Sequence, residues 1–322
     1  MIFRAQARLG MLLGSIALTC AVSFPNATRS DEFPILRPPT LGGAGHWSDY
    51  VLHGDWRIQK HANSNDYRLL DGLNRKVTVG SVHDCFLALD EHRASGEAPP
   101  MPKHVVVVMH GLAGSRALMS GLERYLEREG GYTVLNFGYA STKGTIQEHT
   151  LALESVLRNL QGVEEISLVA HSMSNIMFRH LLFRAQYQSV PLPVSIRRMV
   201  MISPPNHGSA LADSLGQRAY VQFLLGASVN QFARSQQWYR LEQQLAVPGC
   251  EFGIIAGGRG NDIGYLSAIP GDDDGIVEIN SHYLPGASDF IQTGGLHQVM
   301  PLYPDTRRAT LSFLKCGHFR KR

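Results

Sequence analysis

Five short apolar runs limit the folds open to this chain more than any other feature: Val105–Met109, Tyr132–Phe137, Ile166–Ala170, Met199–Ile202 and Phe252–Ala256. Each is apolar without alternation, as expected of parallel strands buried on both faces. Helical patterns at Ala117–Arg128, Thr145–Leu160 and Met173–Ala185 separate the first four runs. Such alternation builds an α/β fold, a mostly parallel central sheet with helices on both faces. Ahead of Pro99, Pro100 and Pro102 the pattern is mixed. There Trp56-Arg57-Ile58 and Tyr67-Arg68-Leu69-Leu70 read as an antiparallel pair, and Val82–Arg93 as an amphipathic helix.

The first residues read as a leader. Arg4 and Arg8 precede an apolar run, Leu9–Val22, with small residues at Ala21 and Ser23. That is the layout of a signal peptide over residues 1–23, with an uncleaved N-terminal anchor as the alternative. The run is shorter than the ~20 residues a membrane-spanning helix needs. The chain is therefore expected to be exported to the periplasm, the cell surface or the medium. A Pro- and Gly-rich stretch follows, so residues 24–46 read as an extended linker and 47–322 as one folded domain. Loss of Arg4 and Arg8 would take the net charge from +3 to +1. So small a charge implies no nucleic-acid partner. Cys85, Cys250 and Cys316 would remain, enough for one disulfide at most, and no C-x-x-C pair or His-rich tract suggests a metal.

In a parallel sheet the binding crevice lies beyond the carboxyl ends of the strands. A serine nucleophile held in a tight strand-to-helix turn needs small residues two positions to either side. Ser115, Ser172 and Ser214 meet a relaxed form of that pattern. Ser172 directly follows the run ending at Ala170-His171 and directly precedes a helix, whereas Ser115 is better placed to cap a helix and Ser214 has no strand before it. Taken alone, Ser172 could equally be a helix cap.

The remaining parts tip that balance. The loop His110-Gly111-Leu112-Ala113-Gly114 follows a strand, and its glycines let a backbone N–H come close to a substrate oxygen; Leu112 and Met173 are the candidate oxyanion donors. Asp272-Asp273-Asp274-Gly275 follows the last apolar run, and Asp274 is the candidate orienting acid because Gly275 allows the turn and Ile276-Val277 anchor it. The acidic run lacks the spacing of a calcium loop. His297, in the Gly-rich stretch Thr293–Gln298, is the candidate base, with His207 and His282 as rivals. His110 and His171 flank the site and are better suited to shaping it.

The order Ser172, Asp274, His297 is that of nucleophile, acid and base in α/β-hydrolases. From about Lys103 to Leu314 the chain resembles lipase-like and esterase-like members of that family. V-V-V-V-M-H-G-L-A-G-S resembles the family's oxyanion strand and loop, S-L-V-A-H-S-M-S its nucleophile elbow, and S-P-P-N-H-G-S the turn after the next strand in bacterial lipases. D-D-G-I-V and G-L-H resemble its acid and base positions. The resemblance implies an α/β-hydrolase fold and a serine hydrolase of small-molecule or lipid esters that needs no cofactor. Ala170 and Ser174 depart from it, since glycines usually occupy those positions. The same residues would serve acyl transfer, or hydrolysis of an amide or thioester, and the fold alone is also compatible with a non-catalytic binding protein. Residues 208–250 fall where the family often inserts a small cap. Tyr220, Phe223, Leu224, Leu225, Phe232, Trp238 and Tyr239 there would line an acyl pocket, form a lid that meets a membrane surface, or simply cover the sheet.

Overall fold

The runs become strands because both of their faces are buried. In β5 (His104–Met109), Val105 and Val107 enter one apolar cluster while Val106 and Val108 enter another on the opposite side. The computed structural model of the protein describes residues 40, 45–209, 211–212, 231–233 and 236–319. The leader at 1–23 lies outside the described residues, as do nearly all of the linker at 24–46 and Ser214, Tyr220, Phe223, Leu224 and Leu225 of the 208–250 insertion.

With β5, strands β6 (Val134–Phe137), β7 (Glu165–His171), β8 (Ser195–Ile202), β9 (Glu251–Ala256) and β10 (Asp289–Gln292) form a parallel sheet in the order β10-β9-β8-β7-β5-β6. Helices α3 (Ile146–Arg158) and α4 (Met173–Tyr187) put Leu153, Val156, Ile176 and Leu181 into the first cluster. Met119, Leu122 and Leu126 of α2 (Arg116–Gly130) and Phe313 of the C-terminal helix Pro304–Cys316 fill the second. Four of the runs read from the sequence lie wholly in these strands; the fifth, Tyr132–Phe137, starts two residues before β6, with Tyr132 and Thr133 outside it. β10 was not read, because an edge strand of four residues packs by one face and shows no continuous apolar run.

The topology fixes where a site can form. From β5 the chain moves outward to β6, then returns across β5 to form β7 on its other side. Loops leaving β5 and β7 therefore diverge and leave a crevice at their carboxyl ends.

A second sheet, antiparallel, takes up the N-terminal part: β1 (Trp47–His53), β2 (Trp56–His61), β3 (Tyr67–Leu70) and β4 (Lys76–Gly80), paired in sequence order. Ile58 pairs with Leu69, so the expected antiparallel pair forms, with an additional strand on each side. Helix α1 (Val82–Ala94) covers this sheet with Cys85 and Leu89, and begins with a capping box between Ser81 and Asp84. β1 escapes a sequence reading because it carries a buried acid. Asp49 is 1% exposed and accepts from Arg57 at 2.8 Å, Gln59 at 2.8 Å and the Gly138 N–H at 2.7 Å. A second bond, from the Asp49 N–H to the Gly138 carbonyl at 2.8 Å, completes a clamp between β1 and the chain leaving β6.

Cys85, Cys250 and Cys316 are free thiols. Among the described residues no helix is long and apolar enough to cross a membrane, and no cluster of three or more His, Cys, Asp or Glu side chains could hold a metal ion.

Candidate active site

β7 ends at His171 and α4 begins at Met173, which leaves Ser172 alone in the turn at φ 56° and ψ −125°. A non-glycine residue held there stores about 1–3 kcal/mol of strain. The surroundings enforce it: the Ser172 N–H donates to the Ile202 carbonyl of β8 at 2.9 Å. Ser172 occupies the N-cap position of α4, yet its side chain makes no cap bond. Instead Oγ lies 2.7 Å from His297 Nε2. Ser115, the expected cap of α2, holds the N-cap position without a side-chain bond to that helix.

Both departures from glycine are accommodated. Ala170 is buried without a polar group to satisfy, and the Ser174 hydroxyl lies 2.9 Å from the His171 carbonyl and 3.2 Å from the Met109 carbonyl. Its one proton can go to either, so the hydroxyl links the elbow to the end of β5. Glycine is required instead on the facing loop. A Cβ on Gly111 would lie 2.8 Å from Ser172 Cβ and 3.2 Å from the His171 carbonyl.

His297 begins a 3₁₀ turn, His297–Leu302, and is 2% exposed. Its Nδ1 lies 2.6 Å from Asp274 Oδ2. A carboxylate oxygen accepts, so Nδ1 carries the hydrogen and Nε2 presents its lone pair to the Ser172 hydroxyl, a tautomer assigned from the network. His297 is held by its main chain as well. Its N–H donates to the Asp274 carbonyl at 2.8 Å, and its own carbonyl accepts from His171 Nε2 at 2.8 Å. Burial, reinforced by the neighbouring His297, pushes His171 down to about 3, which keeps it neutral in this role.

Asp274 is fully buried. Its Oδ1 accepts from the N–H groups of Ile276 at 3.1 Å and Val277 at 2.8 Å, a turn that Gly275 permits at φ 93°. Burial by itself would raise this carboxyl, but the facing rings of His297 and His282 outweigh it and hold the group well below the usual carboxylate range. Its neighbours serve other turns. Asp272 accepts from the N–H groups of Arg259 and Gly260, and Asp273 from those of Leu266 and Gly275.

The rival histidines do not reach the serine. His207 Nδ1 lies 3.2 Å from Glu242, and His282 faces the opposite side of Asp274, its Nε2 at 3.4 Å from Oδ2. The sequence pattern treats His282 as an alternative base and gives no sign that it shares the acid with His297.

The two expected oxyanion donors meet at one cavity. Leu112 and Met173 line it with Ser172 and His297, and Ala113, Ile276, Val277 and Phe232 make its wall apolar. As the first residue of α4, Met173 has an N–H without an intrahelical acceptor, at the end of the helix that favours negative charge. The Leu112 peptide is fixed from behind. The Gly111 carbonyl accepts from His110 Nδ1 at 2.9 Å and from the Gly114 N–H at 3.1 Å, so the N–H on the other side of the same peptide points away from them. His110 is itself stacked on Tyr139 at 4.4 Å between ring centroids, and burial pushes it down to about 4. Of the insertion, Phe232 and Trp238 pack into the core and Tyr239 is exposed.

A hydroxyl, an imidazole and a carboxylate thus stand in one hydrogen-bonded row beside an apolar cavity that Leu112 and Met173 also line. The sheet order, with the serine on the turn after β7 and the acid in the loop after β9, is the α/β-hydrolase architecture. No protein-family model and no curated protein matches the chain. Solved structures do. The mature form of a Bacillus licheniformis lipase is similar at 19% identity over 68% of this chain and 94% of that one, with a TM-score of 0.48. Staphylococcus hyicus lipase is similar at 11% identity over 62% and 89%, with a TM-score of 0.47. A Pyrococcus furiosus esterase is similar at 17% identity over 66% and 82%, with a TM-score of 0.44.

Proposed function

We propose that this protein is an exported serine hydrolase of carboxylic esters, with Ser172 as nucleophile, His297 as general base and Asp274 as the acid that orients it. The observation that carries the reading is the unbroken row from Ser172 Oγ to His297 Nε2 at 2.7 Å and from His297 Nδ1 to Asp274 Oδ2 at 2.6 Å, set on a strained strand-to-helix turn. The export part of the proposal rests on the sequence of residues 1–23 alone.

Attack by Oγ on the ester carbonyl carbon forms the C–O bond as the Ser172 proton passes to His297 Nε2. Asp274 keeps the imidazolium oriented and balances its charge. The carbonyl oxygen, now an oxyanion, accepts from the Leu112 and Met173 N–H groups. Collapse breaks the bond to the leaving alkoxide, which takes the proton from His297. Water then repeats the sequence on the acyl-enzyme, giving up its proton to His297, and releases the carboxylic acid and free Ser172. The apolar wall formed by Leu112, Ile276, Val277 and Phe232 suits the hydrocarbon part of a small-molecule or lipid ester.

The test is hydrolysis of p-nitrophenyl esters of increasing chain length by the protein and by Ser172→Ala. Release of p-nitrophenolate that disappears in the variant is the expected result. Equal release by both proteins would overturn the assignment of Ser172.

A further inference from the structure

We infer, on the reading of Leu112 as an oxyanion donor in the proposed hydrolysis, that Tyr139 is a positioning residue for the Leu112 N–H and acts on it through His110.

The need for such a residue comes from Gly111. Its place beside Ser172 excludes a side chain, since a Cβ there would meet Ser172 Cβ at 2.8 Å. Glycine also has the widest choice of backbone torsions, so the peptide that follows it, Gly111–Leu112, is the one least held by its own chain. That peptide carries the Leu112 N–H. An N–H free to swing stabilises an oxyanion poorly, because such donors act through a direction fixed in advance.

The restraint comes from outside the loop. β5 and β6 pair as far as Met109 and Phe137, so the ladder ends one residue before His110. There the Tyr139 hydroxyl donates to the His110 carbonyl at 2.9 Å. Burial pushes the phenol up, so the hydroxyl keeps the hydrogen that this bond needs. One peptide further on, the Gly111 carbonyl accepts from His110 Nδ1 at 2.9 Å, a place it shares with the Gly114 N–H of the loop itself. A carbonyl can only accept, so Nδ1 bears the hydrogen of a ring that burial keeps neutral, and Nε2 is left as an acceptor. The Tyr139 N–H fills that position at 3.4 Å.

Tyr139 thus holds His110 by its main chain, by its hydroxyl and by its ring, which lies nearly parallel to the imidazole at 9° and itself stacks on Phe137 at 5.5 Å. Both residues are buried, so water does not compete for these bonds. The carbonyls on the two sides of Gly111 are pinned, the first by Tyr139 and the second by the ring that Tyr139 holds. Two fixed peptide planes leave the torsions between them little freedom. Gly111 can then be a glycine for the sake of Ser172, and the Leu112 N–H still keeps its direction.

Tyr139→Phe removes the hydroxyl and keeps the ring. With p-nitrophenyl esters its kcat, counted per serine that takes a fluorophosphonate, is expected to fall about tenfold with KM held within about twofold, because the donor acts on the transition state more than on bound ester. His110→Leu, which loses the Nδ1 donor, is expected to lose about 100-fold in kcat. His110→Asn, whose side-chain amide can place an N–H near the Nδ1 position, should run about tenfold faster than His110→Leu. An unchanged kcat in Tyr139→Phe, a rise in KM alone, or a His110→Asn no faster than His110→Leu overturns the inference. A second measurement needs no catalysis. In protein labelled with ¹⁵N-leucine, the Leu112 amide signal, identified by its loss in Leu112→Met, is expected to shift and broaden in Tyr139→Phe; an unmoved signal overturns the inference. Failure of the unmodified protein to cleave the esters or take the label would sink the triad reading instead, while the Leu112 signal would still decide whether Tyr139 fixes that peptide.

Discussion

Acidification from pH 7 to pH 5 should destabilise this fold through its buried histidines. Burial is the main cause that pushes His110 and His149 down to about 4 and His171 to about 3, against an ordinary value of 6.5. In the interval between these values the unfolded chain binds protons that the folded protein refuses, so stability rises with pH there. The contribution is complete above about pH 6.5 and is lost progressively as the pH falls towards the folded values. At pH 5, about 1.5 units below the ordinary value, each ring costs about 2 kcal/mol, or about 6 kcal/mol for the three, against a typical total stability of 5–15 kcal/mol. His53, His104 and His180 are also lowered, chiefly by burial, and add with the same sign. Asp71, Asp84, Asp272 and Asp274 are held below the usual carboxylate range, so their own losses come at lower pH and leave this window clear. Urea unfolding followed by the fluorescence of Trp47, Trp56 and Trp238 should therefore show a midpoint that falls steeply from pH 7 to pH 5. His149→Gln, which leaves the row of Ser172, His297 and Asp274 untouched, should remove about 2 kcal/mol of that pH dependence. A midpoint that stays level between pH 7 and pH 5, or an undiminished slope in His149→Gln, would mean that these rings do not carry the pH dependence.

Two further substitutions probe the supports of the site. Gly111→Ala would put a methyl 2.8 Å from Ser172 Cβ; the displaced oxyanion loop should slow fluorophosphonate labelling by about 100-fold with little change in the urea midpoint. Asp49→Ala would strip the buried Arg57 of its ion-pair partner and break the clamp on Gly138. Loss of roughly 3–5 kcal/mol in urea unfolding is expected, with labelling of the protein that remains folded unchanged.

Much of this architecture is legible in the sequence because strands buried on both faces leave a continuous apolar signal, as at Val105–Met109. Ser172 stands out for the same reason: a strand ends one residue before it and a helix begins one residue after it. What stays hidden is tertiary. β1 is disguised by Asp49, a buried acid whose partners lie on β2 and at Gly138. β10 is short and at the edge. His282 reads as one histidine among 14 until the fold brings its ring to Asp274. Ser174 looks like a disturbance of the elbow until the fold places its hydroxyl between the His171 and Met109 carbonyls.

The role proposed for His297 and Asp274 is to make Ser172 a nucleophile. It is tested most directly by treating the folded protein with a fluorophosphonate and locating the adduct by peptide mass spectrometry. One adduct on the peptide containing Ser172, absent from Ser172→Ala and formed at least about 100-fold more slowly in His297→Ala, is the predicted result. An adduct on another residue, or none on the folded protein, would rule out Ser172 as the nucleophile.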